Sequence, residues 1–198
     1  MSNRLLSQVN LLPPRFSLVR LPPNQYVSQL SSNRRPVVIW TMVAAVSLLL
    51  VLAILGAPLA RANGDQTLSV AIYGAFGKLC HQIPERSFFI AGHQLAVCAR
   101  CTGLYFGFAT FTFLYPLFRS LRRTDLPERR WLFIAAAPMG IDFALGFFGI
   151  WENTHTSRFL TGALLGATAV FYVVPGFLQI DLKEWRQLLR RKGREQRA

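Results

Sequence analysis

Residues 37 to 60 read VVIWTMVAAVSLLLVLAILGAPLA. The run contains no charged side chain, and it is longer than the ~20 residues that an α-helix needs to cross the hydrocarbon core of a bilayer. Three more apolar runs follow, at about 101–118, 131–151 and 159–180, and the first of these gains length from the apolar residues 95–97. We therefore expect an all-α, polytopic integral membrane protein with four transmembrane helices, at about 37–60, 97–118, 131–151 and 159–180.

The composition agrees with a membrane setting. Hydrophobic residues make up 52% of the 198 positions, and the net charge is +13. A soluble nucleic-acid-binding protein with so large a basic excess is normally far less hydrophobic. The chain is therefore predicted to be a multi-pass protein of the cell membrane, plasma or inner, that contacts the lipid bilayer and does not bind nucleic acid.

The basic residues predict how the helices are oriented. Of the 22 Lys and Arg residues, five lie in the N-terminal tail, five in the loop 119–130 and seven after residue 180, which leaves five for the other loops. Because cytoplasmic segments carry the excess of basic residues, both termini are predicted to be cytoplasmic. The same basic segments are expected to attract anionic lipids at the cytoplasmic face.

The segments outside the membrane differ in character. Residues 1–36 are rich in Ser, Asn, Pro and Arg, which predicts a flexible basic tail, and residues 181–198 have the spacing of a basic amphipathic helix on the inner membrane surface. The membrane domain is expected to span residues 37–180. Its outer loop, 61–100, contains an amphipathic pattern at residues 68–79 that predicts a helix on the outer surface.

All three cysteines and two of the three histidines lie in the outer loop or directly after it. Thiolates and imidazoles are the ligands that zinc prefers, and a closed shell of three cysteines and one histidine is typical of a structural Zn²⁺ site. We therefore predict an extracytoplasmic Cys/His cap. The expected metal ligands are Cys80, Cys98 and Cys101, with His81 or His93 as the fourth. Gln82 and Ser87 are candidates for hydrogen bonds that orient these ligands.

Two other kinds of chemistry fit the same loop. The Cys98-x-x-Cys101 pair is similar in placement to those of quinone-linked disulfide oxidases and of the vitamin K epoxide reductase family, which suggests a membrane thiol–disulfide oxidoreductase. A metal-dependent hydrolase of a lipid-linked substrate would instead need a general base and a catalytic ligand, for which Glu152 and His155 in the next outer loop are candidates. The leading hypothesis is a metal-stabilised membrane protein with a structural or transport-associated role.

Asp142 is an ionisable residue inside a predicted transmembrane helix. It lies about 11 residues, or ~16 Å, into the third helix, which predicts a position near the bilayer centre. A carboxyl group there has to face the bundle and to be protonated or paired with a cation. Arg100 and Arg158 are the nearest candidate partners, and Asp142, Glu152 and Arg158 are the candidate catalytic residues.

A repeated motif relates the second and fourth helices. Residues 102–118 and 161–177 share Thr-Gly-x-x-x-Gly followed by Pro and Phe, all at one offset of 59 residues. Parallel duplication of a helical hairpin would produce this pattern, and so would independent use of the same residues for packing. Small residues four apart let helices approach closely in lipid. The glycines of the motif are therefore expected to form helix contacts either within the chain or in a homodimer.

Several of these residues together resemble a known family. Cys80-His81-Gln82, Arg86-Ser87 and Cys98-x-Arg100-Cys101-x-Gly103 are similar to the signature of the prokaryotic membrane proteins grouped as domain of unknown function 2085. The resemblance extends from about residue 70 to 176. It implies a polytopic membrane protein and supplies no reaction.

Overall fold

The structure, a computed structural model, describes residues 34 to 179. The predicted amphipathic helix at 181–198 and almost all of the predicted N-terminal tail lie outside this range. Within it the chain forms five α-helices and a two-stranded hairpin. In chain order these are α1 (Arg35–Ala62), α2 (Gln66–Gly77), a 3₁₀ turn (Pro84–Arg86), β1 (Phe89–Ile90), β2 (His93–Gln94), α3 (Ala99–Phe118), α4 (Arg129–Phe147) and α5 (His155–Gln179).

Four of the described helices, α1, α3, α4 and α5, are long and apolar enough to cross a membrane. The predicted number of membrane-spanning helices, four, is therefore confirmed, and so is the polytopic class of the protein. The helix limits differ from the predicted ones by up to four residues, most clearly at the end of α4. There a turn with Gly149 in the left-handed region, at φ 66°, follows the helix, which stops at Phe147 instead of residue 151.

Helices α3 and α5 form the centre of the bundle. They run in the same direction, since a Cβ atom added to Gly103 or Gly107 would clash with the backbone of Phe159 or Ala163 in α5. In return, added Cβ atoms on Gly162 and Gly166 would clash with the Arg100 and Leu104 carbonyl groups of α3. Backbone packs directly on backbone at all four places, as small residues allow in lipid. We call these four glycines the glycine seam.

The reciprocal contacts agree with the repeated motif. Each glycine of the seam contacts the residue that lies three positions before the equivalent glycine of the other helix. A two-fold axis parallel to the helices produces such reciprocal contacts. Thr102 and Thr161 also each donate a hydrogen bond to the carbonyl four residues earlier. Both motifs are thus used within one chain, so a homodimer contact through either would require α3 and α5 to separate.

A hydrogen bond from a tryptophan joins helix α1 to the centre. Pro116 has no N–H group, so the carbonyl of Thr112, four residues earlier, lacks its usual helical donor. The indole Nε1 of Trp40 donates to this carbonyl at 2.8 Å. The proline is tolerated in α3 because a neighbouring helix supplies the missing donor.

Helix α4 lies at the periphery of the bundle. Among its residues only Ala135 is buried, and its main contact is with α5. The cap, residues 63–98, instead packs on the C-terminal half of α1. Its core contains Phe76, Leu95, Ala96 and Val97 against Ile54 and Ala57. This apolar base positions the cysteines.

Candidate metal centre

Two separate segments of the cap bring the three cysteines together. Cys80 follows the end of α2, where its backbone N–H donates to the Phe76 carbonyl at 2.9 Å. Cys98 is the residue that caps the start of α3, and Cys101 lies in the first turn of that helix. The three Sγ atoms lie within 4.8 Å of one another. We call this group the thiol cluster.

Hydrogen bonds favour a thiolate at Cys80. Its Sγ faces the other two thiols and accepts a hydrogen bond from the backbone N–H of Cys98 at 3.2 Å. Hydrogen bonds from the thiols of Cys101 and Cys98, joined by backbone N–H groups of Cys98 and Gln82, lower the pKa of Cys80, although burial opposes them. A deprotonated sulfur is the form that binds a metal ion and attacks a disulfide.

Gln82 fixes the backbone around the cluster. The backbone of Gln82 adopts a left-handed conformation, at φ 51°. Its Nε2 donates to the carbonyls of Tyr73, at 2.8 Å, and Ala96, at 2.7 Å, and its own carbonyl accepts from Gln94 at 3.1 Å. One side chain thus links α2 to the segment that leads into α3. The side chains of Gln82 and Ser87 are predicted from the sequence to form hydrogen bonds with the metal ligands. Instead, the Gln82 amide and the Ser87 hydroxyl both donate to backbone carbonyls.

The geometry of the thiol cluster fits a tetrahedral zinc ion. At a Zn–S distance of about 2.3 Å, two sulfurs of a tetrahedral site lie ~3.8 Å apart. The three Sγ atoms are within 4.8 Å, so they need to close by an ångström at most. Cys80 is buried, and Cys98 and Cys101 are half-buried. Apolar surroundings and N–H donors to sulfur are typical of cysteine metal sites.

The histidines stand apart from the sulfurs. In the described part of the chain, neither His81 nor His93 belongs to the group of ligand atoms that contains the three sulfurs. His81 is exposed directly beside Cys80, and His93 is half-buried in β2. The described residues therefore supply three preassembled ligands, and a fourth has to come from a movement of one histidine or from solvent.

Asp142 forms an ion pair with the first turn of α3, next to Cys98 and Cys101. Its carboxylate forms an ion pair with Arg100 and accepts a hydrogen bond from the Ser157 hydroxyl at 2.9 Å. Its backbone carbonyl accepts from the Asn153 amide. The expected pairing with Arg100 is confirmed. Because α4 ends at Phe147, Asp142 lies five residues, or ~7.5 Å, from the C-terminal end of its helix, and its expected position near the bilayer centre stays a prediction.

The remaining candidates lie around this ion pair. Arg158 is half-buried in the first turn of α5, and Glu152 is exposed in the loop before it. His155 is also exposed, and its ring lies 5.6 Å from that of Phe88 in the cap. Neither Glu152 nor His155 belongs to the described group of metal-ligating atoms. Both residues are on the same face of the bundle as the thiol cluster.

Fold and site together define a multi-pass helical membrane protein with a cysteine cap. The family model described as "Predicted membrane protein (DUF2085)" matches residues 80–172. The chain is similar to an uncharacterized protein of Methanocaldococcus jannaschii, at 39% identity over 119 residues, which are 60% of this chain and 76% of that one. It is also similar to an uncharacterized protein of Methanothermobacter thermautotrophicus, at 36% identity over 46% of this chain and 80% of that one. No solved structure matches.

The chain belongs to the DUF2085 family of membrane proteins. The matched region begins at Cys80 and ends within α5, so it contains the whole thiol cluster, the glycine seam and Asp142.

Proposed function

We propose that Cys80, Cys98 and Cys101 bind a Zn²⁺ ion that holds the cap to the outer ends of the membrane helices. The observation that supports this most strongly is the convergence of three sulfurs from two segments 18 residues apart. Packing does not require this convergence, whereas a metal ion does. The role is structural or associated with transport, and either His81 or His93 completes the shell.

Replacing one ligand tests the proposal. Cys98→Ser should lower the zinc content of the detergent-purified protein and its thermal stability together, because structural zinc contributes directly to folding. Ser69→Ala is a matched control: Ser69 is buried in α2 of the same cap, and its hydroxyl has no partner among the described residues. Full zinc occupancy in Cys98→Ser would refute the proposal.

The fourth ligand is decided by a pair of variants. His81→Asn and His93→Asn should differ, with only the true ligand lowering zinc affinity when measured against a competing chelator. His81 directly follows Cys80 and needs only a side-chain movement to approach the sulfurs, whereas His93 is held in the hairpin by pairing with Ile90. If neither change alters affinity, water or another molecule holds the fourth position, which is the arrangement of catalytic zinc sites.

The cap is proposed to face the extracytoplasmic side. The distribution of basic residues supports this orientation. Cysteine-free reporters inserted after residue 125 and after residue 154 should report opposite sides of the membrane, with residue 154 outside. The same side for both would overturn the orientation and move the thiol cluster with it.

A second candidate function is thiol–disulfide exchange with a quinone, and one observation favours it. An apolar cavity of about 600 Å³ lies between α1, α3 and α5, and its lining includes Leu104 and Tyr105, one turn after Cys101. A quinone ring with part of its tail would fit there. Two thiols would become a disulfide and the quinone a quinol, with two electrons and two protons transferred. Adding quinone to the purified protein should then lower the count of free thiols from three to one; an unchanged count would exclude this function.

A further inference from the structure

The outer ends of α3 and α5 carry more positive charge than the described structure balances. Arg100 lies in the first turn of α3 and Arg158 in the first turn of α5. The two turns are adjacent, because an added Cβ on Gly162, one turn after Arg158, would clash with the Arg100 carbonyl. Arg86 is exposed in the cap and lies close enough for its charge to act on Arg158, and the ring of Phe88, two residues later, lies 5.6 Å from His155 and 6.0 Å from Phe159. These residues flank Arg158.

Only one carboxylate lies within this group. Asp142 is already engaged by Arg100 and by the Ser157 hydroxyl. Among the described residues, Arg86 and Arg158 form no salt bridge, even with the exposed Glu85 and Glu152. The Nε of Arg100 is buried and has no hydrogen-bond partner within residues 34–179. A half-buried guanidinium without an anion is costly, and an unsatisfied buried donor is often explained by a bound ion.

Zinc in the thiol cluster does not cancel the excess. Without the exposed Glu85 and Glu152, which pair with none of these arginines, three guanidinium groups and one carboxylate sum to +2, and three thiolates with one Zn²⁺ would contribute −1. A charge of about +1 remains, and the N-termini of two parallel helices add further positive potential at the same place.

We propose that Arg86, Arg100 and Arg158 form a binding site for a phosphate group beside the thiol cluster. Planar guanidinium groups bind phosphate oxygens in pairs, and several of them together match a tetrahedral phosphate anion. The phosphate belongs either to a lipid headgroup in the outer leaflet or to a small soluble molecule. The site does not depend on the metal, so its test and the test for zinc are separate.

Phosphate binding to the full chain in detergent tests the site. Inorganic phosphate should raise the melting temperature saturably at constant ionic strength, with chloride as the reference. Arg158→Gln and Arg86→Gln should each weaken this effect about tenfold or more, as the loss of a charged hydrogen bond predicts. Arg158→Lys keeps the charge and should also weaken it, because the paired geometry is lost. Zinc content should stay at the wild-type value in all three variants.

Arg61→Gln is the matched control. Arg61 is exposed at the end of α1, on the same face of the bundle but outside the group. This variant should bind as the wild type does. Equal weakening by Arg61→Gln would show nonspecific attraction and overturn the proposal.

A second experiment, in lipid vesicles, distinguishes the two sources of phosphate. The protein is reconstituted in vesicles of phosphatidylcholine with or without phosphatidylglycerol, and its melting temperature is compared with that of Arg158→Gln. Stabilisation by phosphatidylglycerol that requires Arg158 identifies a lipid headgroup, and stabilisation by inorganic phosphate alone identifies a soluble ligand. If neither stabilises the wild type more than the variant, the proposal is wrong.

Discussion

Helices α3 and α5 lie side by side in the same direction, and residues 59 positions apart take equivalent places in them. The glycine seam is shared: Gly103 and Gly107 correspond to Gly162 and Gly166. The starts of the two helices are not shared. Cys98 and Cys101 of α3 correspond to Ser157 and Leu160 of α5. One pair of helices thus provides a symmetric support, and of these two helices only α3 has cysteines at its start. The support and the chemistry can therefore be perturbed separately.

The largest expected effect comes from breaking the shared seam. Gly103→Ala and Gly162→Ala should each destabilise the protein by about 3 kcal/mol or more, because the new methyl group meets a rigid backbone carbonyl. If the seam is symmetric, the two losses should be similar in detergent thermal unfolding. Gly140→Ala and Gly176→Ala are controls, since an added Cβ meets nothing within 4 Å at either position. A loss at the controls as large as at the seam would contradict the account.

The second effect concerns an ion pair that only α3 makes. Arg100 corresponds to Phe159 in α5, which has no charge to pair. Asp142→Ala should cost about 3 kcal/mol, because it leaves the largely buried Arg100 uncompensated. Asp125→Ala removes an exposed carboxylate from its pair with Arg119 and should cost less than about 1 kcal/mol. Equal losses in the two variants would mean that the Arg100–Asp142 pair is no more than a surface contact.

The third effect tests whether the cap depends on Gln82. In Gln82→Glu, a carboxylate replaces the amide that donates to two backbone carbonyls, so the loss should be about 2 kcal/mol and greater than that of Gln82→Ala. Hydrogen exchange should increase over residues 80–97 and stay unchanged in the glycine seam. Gln66→Glu, at the exposed first turn of α2, is the control and should be neutral or slightly stabilising. Faster exchange in the seam would show that cap and support are not separate.

The smallest effect is at the contact between α1 and α3. Trp40→Phe should cost about 1 kcal/mol, since the Thr112 carbonyl loses its only described side-chain donor. Trp131→Phe changes an exposed indole in α4 that makes no described hydrogen bond, and it should be neutral. Unfolding in detergent measures both. A neutral Trp40→Phe would mean that another group satisfies the carbonyl next to Pro116.

The sequence predicts the support better than the site. Long apolar runs are sufficient for four membrane helices, because no other structure satisfies the backbone in lipid. The convergence of Cys80, Cys98 and Cys101 follows from their concentration in one loop. The distance of Asp142 from the end of α4 does not follow, because the turn at Gly149 shortens the helix without interrupting the apolar run.

The side chains that hold the site in place are the least predictable part. Gln82 and Ser157 act through hydrogen bonds to groups 9 to 15 residues away in the chain. Such bonds depend on how α2 approaches the segment before α3 and on how α4 approaches α5, and no local pattern encodes either approach. The fourth ligand of the proposed metal site does not follow from the sequence for the same reason: His81 and His93 are near in sequence, but the hairpin and the turn at Gln82 set their distance from the sulfurs.

The central claim is that the thiol cluster is a zinc site, and elemental analysis of the detergent-purified protein tests it most directly. It should be combined with a count of free thiols in denaturant that contains a chelator. The account predicts about one zinc ion per chain and three free thiols. No metal together with one free thiol would contradict it, because two of the three cysteines would then be joined in a disulfide.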